Sequence, residues 1–452
     1  MISSLERSLV KRFGGSAPRY TSYPTAPQFH DGVSAATYAD WLARLPATEP
    51  ISLYLHIPFC GTLCWFCACR SQGARRYDLV ARYLEALSTE IALLAEHIDN
   101  RPIRSIHWGG GSPTILSPED IRALSAQTRA AFAVAPDAEF AVEIDARDMD
   151  DARLDAVAEA GVTRASVGVQ DFDPTVQKAI NREQSFEQTA AVIEGLRARG
   201  VESVNIDALY GLPHQTLEGV TRTIDQLVAL SPDRVALFGY AHVPWMARRQ
   251  QLIDDEALPD AEERLAQATA AAERLIAAGH QRIGLDHFAK PSDAMAVAAC
   301  DGTLRRNFQG YTVDDADTMI GLGASAIGRT PSGYVQNAPS TADYQKRVAA
   351  GAAPIIRGVA FTAEDRVRAD AIERLMCDLE IDLEQLRTRH GDLATLLRRD
   401  LAHALETLPP EVLEPTPRGL RVTEAGRPFL RNVAALFDAY LATGEARFSR
   451  AV

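Results

Sequence analysis

The stretch ISLYLHIPFCGTLCWFC at residues 51–67 joins a β-rich run directly to a cysteine loop, and the reading of the whole chain turns on that join. Ile51–Ile57 is rich in β-branched and aromatic residues and predicts a strand that Pro58 closes. Cys60, Cys64 and Cys67 then spell C-x3-C-x2-C. Three thiolates from one loop can hold three irons of a cubane cluster and leave the fourth iron without a protein ligand. An open iron is a place for a substrate or cofactor, by the logic that separates catalytic from structural zinc sites. Two other readings stand beside it: a zinc site completed by Cys69 or His56, and buried apolar cysteines without a metal. Zinc loops usually add a second cysteine pair at a distance, whereas Cys300 and Cys377 are isolated.

Outward from this loop, β-rich runs alternate with helical patterns. Further strands are predicted at Ile103–Trp108, Glu139–Ile144, Arg164–Val169, Ser203–Leu209, Arg234–Phe238 and Arg282–Leu285. Leu84, Leu87, Ile91 and Leu94 recur at helical spacing, and Ser117-Pro118-Glu119-Asp120 reads as a helix start with Ser117 as N-cap. Helices near 153–160, 186–199, 217–230 and 259–279 complete the alternation. The fold class is therefore α/β, with repeated βα units forming a parallel sheet that curls into a partial (β/α)6-type barrel; a doubly wound sheet fits the pattern as well. The expected organisation is an arm over 1–49, a barrel over 50–290, a barrel extension over 291–361 and a helical unit over 362–452. Ala17–Ala26 reads as extended, and the alternation fades through the Gly-rich passage at 320–328. A hairpin around Pro417-Arg418-Gly419 followed by a helix makes the C-terminal unit winged-helix-like.

The 452 residues are 46% hydrophobic and 24% charged, which excludes disordered and fibrous classes. A net charge of −13 argues against fold-wide affinity for nucleic acid or anionic membrane, so an anionic partner must be met by local basic residues. The N-terminal MISSLERSLVKRF lacks the apolar run of a signal peptide, and no apolar stretch is long enough to span a membrane. A cytoplasmic protein is expected, and in that reducing setting a tight cysteine group reads as a metal or redox site.

C-x3-C-aromatic-x-C after a first barrel strand resembles the radical S-adenosylmethionine (SAM) superfamily. Gly109-Gly110-Gly111 after the second strand allows close approach of backbone to a ligand, and Glu143 sits at a strand end where barrel sites are built. PRYTSYPTA (18–26), HWGGGSPT (107–114), VGVQDFD (167–173), NREQ (181–184), NIDALYGLP (205–213), YAHVP (240–244), LDHFAKP (285–291) and RNFQGYT (306–312) narrow the resemblance. In order and spacing they resemble the oxygen-independent coproporphyrinogen III oxidase (dehydrogenase) family, from about residue 10 to the terminal FSRAV.

That resemblance implies a radical SAM barrel in which Cys60, Cys64 and Cys67 bind a [4Fe-4S] cluster, while Cys69 and Tyr54 serve catalysis. It implies two SAM molecules per chain: Tyr54, Gly110, Glu143 and Ile327 match contacts of the first, and Phe66, Gly111, Ser112, Gln170, Arg182, Asp207 and Ala241 match those of the second. It further implies coproporphyrinogen III as substrate, a reduced flavodoxin- or ferredoxin-type electron donor, and a monomer. Two positions depart from the family pattern, Arg70 and Gly239, each standing where Asn is usual. The four substrate carboxylates call for cations, and Arg19, Lys290 and Arg305 are the candidates, arginine being favoured for its bidentate geometry. A heme chaperone, or a heme-modifying radical SAM relative, is the alternative within the same superfamily.

Overall fold

The computed structural model describes residues 4–441 and 448–450; the first three residues and the last two of the FSRAV segment lie outside them. Six βα units run in series: β1 Ile51–Ile57, β2 Ile103–Gly110, β3 Val134–Ile144, β4 Arg164–Gln170, β5 Ser203–Tyr210 and β6 Arg234–Gly239, all paired in parallel. Helices α3 Tyr77–Ile98, α4 Pro118–Ala131, α5 Asp151–Glu159, α6 Phe186–Ala198 and α7 Leu217–Ala229 connect them, preceded by α1 Ser4–Phe13 and α2 Ala35–Ala43 and followed by α8 Ala261–Ala277. Alternation decides which face goes where. In β1, Leu53, Leu55 and Ile57 are fully buried in one core with Leu87 and Ile91 of α3, while Ser52, Tyr54 and His56 turn to the inside of the curl. Ser117 caps α4 as read from sequence, its hydroxyl accepting from the Asp120 N–H.

The reading of Arg282–Leu285 as a seventh strand of the series is corrected. Gln281–Ile283 (β7) and His287–Ala289 (β8) form a hairpin that joins β6 antiparallel, closing one flank of the sheet. Gly284, with φ of 53°, turns the chain between them. The Gly-rich passage likewise proves to be sheet. Thr318–Leu322 (β9) pairs in parallel with the other side of β1, and Ile327–Thr330 (β10), Gly333–Asn337 (β11) and Ile355–Ala360 (β12) continue antiparallel. The twelve-stranded sheet has the order β12-β11-β10-β9-β1-β2-β3-β4-β5-β6-β8-β7. Its glycines serve close packing: at Gly323 (φ 96°) a Cβ would stand 2.6 Å from the His56 carbonyl oxygen.

The C-terminal residues build a second core around Val367, Leu375, Leu397, Leu420 and Phe429, in the order helix, short strand, two helices and hairpin of a winged helix. Leu9, Val10, Tyr20 and Tyr23 pack into this same core. The 17–26 segment thus runs along the C-terminal unit: the Arg431 guanidinium donates to the Pro18 carbonyl at 2.9 Å, and Tyr20 Oη to Asp438 at 3.0 Å. No helix among the described residues is long and apolar enough to cross a membrane.

Candidate active site

The cysteine loop leaves β1 at its C-terminal end and has almost no secondary structure of its own. Neighbours hold it instead. Ile180 accepts from the Trp65 N–H at 2.9 Å and Asn181 donates to the Leu63 carbonyl at 2.8 Å. Gln250, fully buried, donates to the carbonyls of Phe66 (2.6 Å) and Ala241 (3.0 Å), and Arg249 donates to the Cys69 carbonyl at 2.9 Å. Burial, with the fields of Cys67 and Cys64, pushes the Cys60 thiol up to about 12, so taking up iron there must displace a proton. The hydrogen bond from Cys69 holds Cys67 down at about 6, and the Cys69 N–H points at the Cys67 sulfur from 3.4 Å.

Cationic groups face the thiols. Arg147 Nη2 lies 3.4 Å and Arg182 Nη1 3.6 Å from Cys64 Sγ, and both also clasp Asp145, at 2.7 and 3.0 Å. Burial alone would raise the Asp145 carboxyl, but the two guanidiniums hold it at about 2. Arg182 keeps a buried Nε without a hydrogen-bond partner, a donor left for a bound group. A soft thiolate set backed by buried cations suits an anionic iron–sulfur cluster. Among the described residues, no three His, Cys, Asp or Glu side chains are gathered as a single metal ion requires.

The rim of the barrel is acidic and close-packed. Gly110 lies left-handed at φ 111° and gives its N–H to Glu143 at 3.0 Å; a Cβ on Gly109 would strike that carboxylate at 2.6 Å, and one on Gly111 the Phe59 backbone at 2.4 Å. Burial raises the Glu143 carboxyl, but the hydrogen bond and charge of His107 outweigh it and leave it below its ordinary value. Across the curl, Asp207 accepts from Asn205 (2.8 Å) and Ser166 (3.2 Å), and burial with the field of Glu143 raises it. Tyr54 Oη meets His56 Nδ1 at 2.9 Å. Gln170 holds φ of 74°, while the hydroxyl of Ser112 is taken by Thr114 and Asp148. Ile327 packs against a small apolar group formed by Phe29, Tyr334 and Val359.

The cation candidates separate. Arg19 lines a cavity of about 370 Å³ between the barrel mouth, α8 and the C-terminal unit, within electrostatic reach of Asp286, Arg306 and Cys69. Lys290 is not brought there. It binds Asp233 at 3.0 Å beside the start of β6, at the opposite end of the strands. Arg305 is held by Glu373 (3.1 Å) and Asp317 (2.9 Å), whereas its neighbour Arg306 points the other way and lines the cavity. Gln250, Asp145, Arg147 and Arg264 carry no motif that flags them, and His107, though it opens the HWGGGSPT stretch, takes no role from it; only folding brings them to the site.

A parallel partial barrel with a three-cysteine loop at the C-terminal end of its first strand defines a radical SAM protein, and residues 54–227 match the Radical SAM superfamily. The chain is 49% identical to the oxygen-independent coproporphyrinogen III oxidase of Paracoccus denitrificans, with 97% of each chain covered. It is 39% identical to the one from Pseudomonas aeruginosa over 99% of this chain and 98% of that one. The solved coproporphyrinogen III oxidase of Escherichia coli, described as a radical SAM enzyme, superposes with a TM-score of 0.91 at 36% identity, covering 96% of this chain and 99% of the other. The chain belongs to the oxygen-independent coproporphyrinogen III oxidase family.

Proposed function

We propose that this chain converts the two propionates on rings A and B of coproporphyrinogen III to vinyl groups without oxygen, giving protoporphyrinogen IX for heme synthesis. Near-full-length identity of 49% to an oxidase of that name carries the reading, and the thiolate loop set into an acidic barrel mouth supports it. The hydrogen removed from a propionate β-carbon is not acidic, so a positioned side-chain base would not abstract it at a useful rate. A [4Fe-4S] cluster with SAM, when bound, supplies a 5′-deoxyadenosyl radical that takes such a hydrogen.

The chain's own groups bind and orient. Cys60, Cys64 and Cys67 hold the cluster, with Arg147 and Arg182 offsetting thiolate charge at Cys64. Glu143 and Asp207, facing each other across the curl, are read as acceptors for ribose hydroxyls, each such bond contributing roughly 1.5–3 kcal/mol. Tyr54, Gly110, Glu143 and Ile327 are assigned to one SAM molecule, and Phe66, Gly111, Ser112, Gln170, Arg182, Asp207 and Ala241 to a second. Cys69, beside Cys67 but outside the C-x3-C-x2-C triad, and Tyr54, tied to His56, are assigned to the reacting end. Loss of carbon dioxide leaves one electron that an outside acceptor must take, and a reduced flavodoxin- or ferredoxin-type protein supplies the electron that starts each cycle. The reading extends to a cytoplasmic monomer.

Protein loaded with iron and sulfide without oxygen, then given reductant, SAM, coproporphyrinogen III and a one-electron acceptor, should yield 5′-deoxyadenosine, carbon dioxide and protoporphyrinogen IX. Absence of both 5′-deoxyadenosine and protoporphyrinogen from cluster-loaded protein would defeat the assignment.

A further inference from the structure

Ion pairs are common in this chain, yet Arg19, Arg264, Arg306 and Arg431 all line the cavity and none pairs with a carboxylate among the described residues. Arg431 spends its donors on four backbone carbonyls, those of Ala17, Pro18, Ser449 and Arg450, which pins the arm but offsets no charge. Arg306 is 9% exposed; two of its nitrogens reach the carbonyls of Tyr20 (3.3 Å) and Arg19 (3.4 Å), and its buried Nη1 has no partner. Arg264 reaches the Gly211 carbonyl only at 3.5 Å, keeps a buried Nε unpartnered, and lies over the Tyr210 ring at 5.7 Å. Arg19, exposed at the mouth, makes no side-chain hydrogen bond among the described residues. Among the acids on the wall, Glu424 is held by Arg427, and Asp286, itself bonded to His287 at 2.8 Å, is the one carboxylate whose field reaches Arg19, Arg306 and Arg431 together.

A buried guanidinium without a paired carboxylate is costly, and the direction of the shifts agrees: burial holds Arg264 below its ordinary value, and burial with the field of Arg19 holds Arg431 down at about 10. Several such cations converging on one cavity, with donors unspent, form a site for a polyanion. The cavity reaches the C-terminal ends of β5 and β6 at Tyr210, Phe238 and Gly239, and Phe308 of its wall packs against the same apolar group of Phe29, Tyr334 and Val359 as Ile327 does. Gly239 belongs to the same device. A Cβ there would stand 2.8 Å from Tyr210 Oη and 3.1 Å from Arg264 Nη2, so the missing side chain leaves the guanidinium its place.

We propose that this cavity holds the carboxylates of the tetrapyrrole that are not reacting, with Arg19, Arg264 and Arg306 as direct donors and Arg431 fixing the arm that carries Arg19. The assignment rests on the functional reading above. It gives the C-terminal unit a task, because Arg431 closes the site from that side.

Cluster-loaded protein would be titrated anaerobically with coproporphyrin III, a fluorescent tetracarboxylate, and with mesoporphyrin, which carries two carboxylates on the same ring system. Arg264→Gln and Arg306→Gln should each raise Kd for coproporphyrin III about tenfold or more and narrow the preference over mesoporphyrin. Lys290→Gln, at the opposite end of the strands, should leave both affinities unchanged, and Arg264→Lys should recover part of the loss. Because Arg306 also holds the arm, Arg264→Gln decides if the Arg306 variant fails to fold. Affinities within twofold of wild type for Arg264→Gln, or equal weakening by Lys290→Gln, would overturn the proposal. Wild-type protein that neither binds coproporphyrin III nor converts coproporphyrinogen III fails the functional reading, whereas wild type that does both beside an unaffected Arg264→Gln fails the cavity assignment alone.

Discussion

Glu90 shows how one residue can set the pH response of the barrel. It is buried on α3 and accepts from the Gly323 N–H (2.7 Å), Asn337 Nδ2 (2.7 Å) and Tyr344 Oη (2.6 Å), so it ties the β9–β10 turn to the helix layer. Ser325 of that turn lies 3.4 Å from His56, which links the tie to the site. Burial pushes the Glu90 carboxyl up to about 7 against the pull of its three donors. A folded value above the unfolded one means that the unfolded chain gives up this proton first as pH rises. Stability from this group is therefore complete below about pH 4.5 and falls between there and about pH 7, by roughly 3 kcal/mol at 1.36 kcal/mol per unit. Urea unfolding at pH 5 and pH 8 should show Glu90→Gln losing clearly more stability, relative to wild type, at pH 5 than at pH 8. An equal difference at the two pH values would mean that Glu90 titrates normally.

At the scale of elements, the cysteine loop is ordered by what surrounds it, and Gln250 is its main fastening. Besides the carbonyls of Phe66 and Ala241, its own Oε1 accepts from the Val243 N–H at 2.5 Å. Gln250→Leu would strand three buried backbone groups, each costing about 1–3 kcal/mol. The variant should unfold at lower denaturant and retain less iron after desalting, whereas Trp245→Ala, exposed in the segment between β6 and Gln250, should match wild type in both. Iron retention unchanged in Gln250→Leu would show that the loop holds itself. None of this is legible in sequence, because a glutamine 184 residues from its partner carries no periodicity or spacing. What was legible followed local rules. The six strands of the series announce themselves by β-rich runs, the helices by caps such as Ser117, and the thiols by spacing. The β7–β8 hairpin was hidden because Gly284 splits one run into two antiparallel pieces, and β9 because Gly321 within it and Gly323 just after it look like a break while they serve close approach to the Ile327 backbone and to His56. Arg305 and Arg306 could not be told apart, since neighbours on a strand face opposite ways and only the pairing with Glu373 shows which is which.

The whole molecule carries −13 charges and is read as taking up a tetra-anion, so long-range and short-range electrostatics oppose each other. The arginines of the cavity act over contact distances, inside walls that shield them. The net charge acts beyond the surface, over about 30 Å at 0.01 M salt but only about 10 Å at 0.1 M. At low salt the approaching porphyrin meets the field of the whole protein before it meets the cavity. Repulsion then slows encounter, and added salt screens it. The association rate of coproporphyrin III, followed by stopped-flow fluorescence, should therefore rise two- to threefold between about 0.01 and 0.1 M ionic strength, the reverse of the usual steering of a ligand by an oppositely charged protein. The dissociation rate should rise as well, because the guanidinium–carboxylate contacts weaken in the same range. An association rate that falls with salt would instead mean that the basic mouth projects its field past the acidic surface and draws the substrate in.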